Sequence, residues 1–208
     1  MSGYNNDNPV LAAMMRLGDV VLISVLFTLC SLPVITVGAA SAAAWHDMMK
    51  IVTDRQSYTV KGFFQYFAEN FKQATLLWLI MLGAGIVIGC DIYFAIIDAS
   101  SPLANLLYFF IAAAVLYLFT LLYVFPLQAT FSNSKALTIK NAAALAIRHF
   151  GYTLVLAAIW LLPAVLVVFV QNIVYYMISF MLFFGFGAQF YVSSFIFNHI
   201  FANYIEAR

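Results

Sequence analysis

Charged side chains are scarce in this chain, so each one set in an apolar run is a candidate for chemistry. Of 208 residues, 8% are charged and 65% are hydrophobic. Asp91 stands in IGCDIYF, inside a run long enough to cross a membrane. A charge near mid-bilayer costs at least about 2.5–3.5 kcal/mol, which makes such a residue a functional candidate by default. Asp19 heads the first apolar run and Arg16 precedes it by three positions, close enough on a helix for the two to be neighbours. Arg16, Asp19 and Asp91 together form a candidate polar cluster for a cation or a polar solute. The plainer reading of the same residues is a structural ion pair at the membrane border, with Asp91 hydrated.

A second candidate is the break at Pro33. The stretch Arg16–Trp45 reads as a span, a proline and then a run of small residues. Proline has no amide proton and clashes with the preceding turn, so Pro33 should end or kink the helix. Pro33, Thr36 and Gly38 then form a candidate broken-helix site, since backbone groups freed at such breaks bind substrates in transporters. An ordinary helix end has the same sequence.

Other chemistry finds less support. His46, Asp47, His149 and His199 lack the spacing of three or four converging metal ligands. Cys30 and Cys90 both fall inside apolar runs, where packing is expected rather than a disulfide or metal. No G-x-S-x-G elbow and no P-loop occur. The expectation is a non-enzyme without metal or cofactor. A net charge of +1 gives no reason to expect a nucleic-acid partner.

The elements that position these residues are membrane spans. A soluble domain has roughly a quarter charged residues, so this chain's solvent must be lipid. Only helices or closed barrels span lipid, and the long continuous apolar runs are helical rather than alternating. The fold class expected is all-α: a polytopic helical bundle of about five spans, forming one transmembrane domain over residues 1–208. No cleavable signal peptide is expected, because MSGYNNDNPV lacks a basic start.

Span 1 is expected from Pro9 to about Leu32, with Asn8 as cap, followed by AASAAAWHDMMKIVTDR as a helix leaving the membrane. Residues 59–73 form an amphipathic helix with Val60, Phe63, Phe64, Phe67, Ala68 and Phe71 at helical spacing, suited to the headgroup region. Span 2 covers about 74–97, where Gly85-x-x-x-Gly89 allows close helix approach. A turn is expected at Asp98–Pro102. Span 3 covers about 103–125, ending at Pro126. A second interfacial helix covers 138–150, span 4 about 152–170 with a kink at Pro163, a turn follows at Gln171-Asn172, and the final span covers about 173–200. At an offset of 79 residues the two amphipathic helices align, Thr59 with Thr138 and Phe71 with Phe150. A weak internal repeat follows, with units of about 9–98 and 103–170.

Eight of the nine Lys and Arg residues fall on one side of these spans and Arg16 alone on the other. By the positive-inside rule the N-terminus is then outside and the C-terminus cytoplasmic.

The segment LGDVVLISVLFTLCSLPVITVGAASAA, followed by FFQYFAENFKQATLLWLI, resembles the YesL-like family of small bacterial membrane proteins, with L-P-V-I-T-V-G as its most specific piece. YVFPLQATFSNSKALTIKNAAALAI resembles the same family's later block, so the likeness covers most of the chain. The family pattern has asparagine near position 24, where this chain has Ser24. The resemblance implies a bacterial plasma-membrane protein with no established catalytic residues. It also implies an accessory or regulatory role beside carbohydrate uptake, with transporter permease subunits as partners besides the lipid bilayer. The alternative is a small secondary transporter or channel for a polar solute or cation, read from the repeat, the broken helices and Asp91.

Overall fold

The computed structural model describes residues 9–53, 59–97, 105–169 and 174–205. The expected turns at Asp98–Pro102 and Gln171-Asn172, and the charges Arg55 and Arg208, lie outside the described residues. The helices are α1 (Pro9–Ser31), α2 (Val37–Val52), α3 (Thr59–Ile97), α4 (Leu107–Thr130), α5 (Lys135–Arg148), α6 (Phe150–Phe169), α7 (Val174–Phe180) and α8 (Phe186–Ile205). A 3₁₀ turn, Val34–Thr36, joins α1 to α2, and a π-helical turn, Met181–Gly185, joins α7 to α8. Among the described residues, five helices are long and apolar enough to cross a membrane: Val10–Ser31, Thr59–Ile97, Leu107–Thr130, Phe150–Phe169 and Val174–Ala202. These are the helices of a multi-pass membrane protein.

Pro33 does end α1, but the chain does not then leave the bundle. It turns back, and α2 becomes the central helix. Gly38 to Trp45 are all buried. Small residues make this possible, because Gly and Ala let neighbouring backbones come close. Gly38 sits so near α3 that a Cβ there would meet the Ala74 carbonyl oxygen and the Trp78 side chain. Trp78 Nε1 also donates to Val34 O at 2.7 Å, tying the turn to α3. Further along, His46 stacks on Tyr66, so α2 runs antiparallel to α3.

Residues 59–73 are not a separate interfacial helix. They are the first part of α3, which has 39 residues. At 1.5 Å per residue that is about 58 Å, nearly twice the hydrocarbon core of a bilayer. No proline interrupts Thr59–Ile97, so the helical bonds simply continue. Phe63, Phe67 and Phe71 pack toward the core, whereas Val60 and Phe64 are exposed. Their counterparts in α5 behave alike where it matters most: Thr59 and Thr138 are both buried, as are Phe63 and Ala142.

The two prolines expected to end spans, Pro33 and Pro126, differ. Pro126 lies inside α4, which runs on to Thr130 rather than stopping. Losing one backbone bond does not end a helix whose next turn is buried, and Tyr123 to Gln128 are buried throughout. Pro163 likewise lies inside α6. Of the two glycines expected to admit a neighbour, Gly85 does: it faces Tyr117, whose hydroxyl donates to Met81 O at 2.9 Å. Gly89 has nothing within 4 Å of a Cβ position.

The middle of the bundle is aromatic. Trp45 of α2 meets Phe190 and Phe197 of α8 edge-on at 4.9 and 5.0 Å, and Phe197 meets Tyr123 of α4 at 5.1 Å. Trp160 of α6 packs on Phe190 at 5.2 Å. Edge-to-face rings contribute beyond their buried area, so these contacts lock α2, α4, α6 and α8 together.

Candidate functional site

The predicted cluster of Arg16, Asp19 and Asp91 does not assemble. Asp19 Oδ1 accepts a hydrogen bond from Thr59 Oγ1 at 2.6 Å, at the very start of α3. Asp91 lies on the same helix 32 positions later, roughly 48 Å along its axis. The expectation placed Asp19 opposite the lysine-bearing connection after span 1. It failed because α2 folds back: α1 and α2 form an out-and-back hairpin, and the turn of α1 that carries Asp19 lies where α3 begins. Arg16, one turn before Asp19, therefore shares an end of α3 with Lys61.

The broken-helix residues are used structurally. Thr36 Oγ1 lies 2.6 Å from Cys30 O and 2.8 Å from Pro33 O, so its one proton is shared between a carbonyl at the end of α1 and one in the turn that follows. Gly38 provides the close approach to α3. The histidines do not converge: His46 stacks on Tyr66, while His149 and His199 flank Tyr152. Among the described residues, no group of three His, Cys, Asp or Glu could hold a metal ion.

The residues the structure does bring together lie where α2, α3 and the end of α4 meet. A pocket of about 440 Å³ is lined by His46, Tyr66, Asn70, Gln73, Gln128 and Asn133, among others. Helical spacing explains the α3 contribution, since Tyr66, Asn70 and Gln73 fall on one face. His46 lies flat on the Tyr66 ring, 4.0 Å between centroids and 20° between planes. Tyr66 Oη donates to Gln128 O at 3.0 Å, and Asn70 Nδ2 donates to Tyr66 O at 3.2 Å. Gln73 Nε2 donates to Gln128 Oε1 at 3.3 Å and to Asn133 O at 2.9 Å. The result is a wall of carboxamides and one aromatic face, able to exchange hydrogen bonds with a neutral polar solute.

Asp47 lies directly behind this wall. It is fully buried, its Oδ1 is 3.3 Å from His46 Nδ1, and its Oδ2 has no hydrogen-bond partner. Gly62 of α3 makes room for it, since a Cβ there would lie 2.9 Å from Oδ1. From the sequence Asp47 is weighed only as a metal ligand beside His46, because it sits in a polar-looking segment, HDMMK. The signal was the run of small residues before it, which marks α2 as closely packed.

An amide is less costly to bury than a carboxylate. Asp47→Asn is therefore expected to keep or raise thermal stability in detergent. A fall of more than about 2 kcal/mol would show that the charge is paired.

Outside the spans, His149 joins α5 to α6 and its Nε2 lies 3.3 Å from Tyr204 Oη. Burial first, then the nearby charges of Arg148 and His199, hold the His149 imidazole below the usual histidine value. The folded chain thus binds this proton less readily than the unfolded chain, so stability rises with pH between the folded and unfolded values. Melting at about pH 5.5 should come earlier than at about pH 7.5, and His149→Gln should remove part of that difference.

Comparison with known proteins places this geometry. The chain matches a family model described as a protein of unknown function, DUF624, over residues 20–92. It is 30% identical over 162 residues to the uncharacterized protein YteU of Bacillus subtilis (strain 168), covering 77% of this chain and 72% of that one. The chain belongs to the DUF624 family. This is the YesL-like family resembled by the sequence. No solved structure matches the chain. Within this DUF624 chain, the matched residues hold the hairpin of α1 and α2 and most of α3. Ser24 Oγ, buried in α1, lies 3.2 Å from Met181 O and 3.3 Å from Leu182 O. A π turn disturbs the regular ladder of backbone bonds, and the serine hydroxyl is shared between two of its carbonyls.

Proposed function

We propose that this DUF624 protein is a non-enzymatic accessory or regulatory component of a bacterial carbohydrate uptake system, docking on permease subunits through its lipid-facing helices. The observation that carries this reading is the packed aromatic centre of Trp45, Tyr123, Trp160, Phe190 and Phe197. A component that acts by helix contact needs a rigid interior, whereas a translocation path needs polar groups at that depth. The carbohydrate link rests on the family resemblance alone. The proposed threading reverses the expected N-terminus-out arrangement at one end only: the start of α1 faces the cytoplasm of a bacterial plasma membrane, together with the end of α8 and the lysines. The hairpin favours this arrangement, because it brings Arg16 to the end of α3 that carries Lys61.

A second reading, a small secondary transporter or channel for a polar solute or cation, is favoured by Asp47. A fully buried carboxylate with one open oxygen is the type of group that binds a coupling ion. Two measurements separate the readings. Cross-linking in native membranes should recover identified carbohydrate permease subunits in fixed proportion to this protein. Purified protein in liposomes should transport neither sugars nor cations. Uptake in liposomes that is lost in Asp47→Asn would overturn the accessory reading.

A further inference from the structure

We infer that the bundle holds one acyl chain of a bilayer lipid in a side pocket between α4 and α6. The cavity measures about 690 Å³, inside the roughly 300–1,000 Å³ range of ligand pockets. Its floor is formed by Trp45, Phe125 and Phe190, each no more than 6% exposed. Its rim is formed by Val115 and Leu118 of α4 with Leu154 and Leu161 of α6, each 44–54% exposed. Val115 and Leu118 lie mid-way along α4, so the mouth opens sideways at the depth where a spanning helix meets hydrocarbon. That position selects the occupant: lipid tails are what surrounds the opening.

The lining selects the same chemistry. Ser41 supplies the only hydroxyl among the lining residues. Two indole donors beside it are already engaged, Trp78 Nε1 with Val34 O at 2.7 Å and Trp160 Nε1 with Ser193 Oγ at 3.3 Å. A polar ligand would leave its own groups unpaired there, while a methylene chain leaves none. Interiors are close-packed, and a dry void forfeits dispersion contacts along its whole lining. An acyl chain entering between α4 and α6 restores those contacts and keeps its headgroup at the interface.

The chain's three tryptophans, Trp45, Trp78 and Trp160, all line this cavity, which supplies the test. The full chain carrying Trp78→Phe and Trp160→Phe retains Trp45 as its sole indole. It would be placed in phosphatidylcholine vesicles whose acyl chains are brominated at mid-length, and compared with unbrominated vesicles. Bromine quenches indole fluorescence at short range. Trp45 emission should fall about twofold, because the occupying chain touches the ring. Ala157→Phe, which fills the pocket from α6, should restore most of the emission. Equal emission in both vesicles would overturn the inference, as would quenching that Ala157→Phe leaves unchanged, which would assign it to lipid around the bundle. Native mass spectrometry of the unsubstituted protein gives an independent reading. One phospholipid should persist per chain and be lost in Ala157→Phe, and its absence would also overturn the inference.

Discussion

Gly38→Leu is expected to unseat α2 and lower stability by about 3 kcal/mol or more. Overpacking a closed site costs roughly 1–3 kcal/mol when side chains can shift. Here the obstacle includes the backbone carbonyl of Ala74, only 2.5 Å from the position a Cβ would take, and backbone yields less than a side chain. The loss should appear in thermal or denaturant unfolding in detergent, and as reduced yield of monodisperse protein. Gly38→Ala should fall in between. Gly83→Ala and Gly89→Ala provide the contrast, since neither position has anything within 4 Å. Both should stabilise the helix by about 0.5–1 kcal/mol, because alanine is the better helix former.

Trp45→Ala should cost about 3–5 kcal/mol, the range for removing a large buried ring. Trp45 is 4% exposed and contacts rings of α6 and α8. Its removal would leave Phe190 and Phe197 facing a void that the helices can only partly close. A truncation on the outer surface tests whether burial is responsible. Phe169 is 81% exposed, and Phe169→Ala should change stability by no more than about 0.5 kcal/mol. Equal losses at both positions would mean that the aromatic centre does not hold the bundle together.

These two residues also show how far the sequence could be read. The spans were legible because hydrophobic length is a direct consequence of bilayer thickness: four of the five lie close to their expected bounds, while the second begins at Thr59 rather than Ala74. The fate of α2 was harder to foresee. A segment with His46, Asp47 and Lys50 near its end looks interfacial, and hydropathy carries no sign of a chain that doubles back. The sign was in residue size: Gly38 to Ala44 is an unbroken run of small side chains, which matters only where another helix comes close. The cluster of Arg16, Asp19 and Asp91 failed for the same reason, since its assembly depended on the side of the bundle where α1 begins. The length of α3 could have been read from the chain. Nothing between Gln73 and Ala74 breaks a helix, and a continuous helix sets Thr59 and Asp91 at opposite ends. The polar pocket was out of reach, because Gln128 and Asn133 meet Tyr66 and Gln73 only through the packing of α4 on α3.

The hairpin is the claim on which the site, the threading and the buried carboxylate all depend. It is tested most directly by paired cysteines in a chain whose native Cys30 and Cys90 have been replaced by alanine. Asp19→Cys with Thr59→Cys should form a disulfide readily in membranes under mild oxidation. Asp19→Cys with Asp91→Cys should form none within one chain. A cross-link from position 19 to 91, with none from 19 to 59, would place the start of α1 at the far end of α3 and contradict the hairpin.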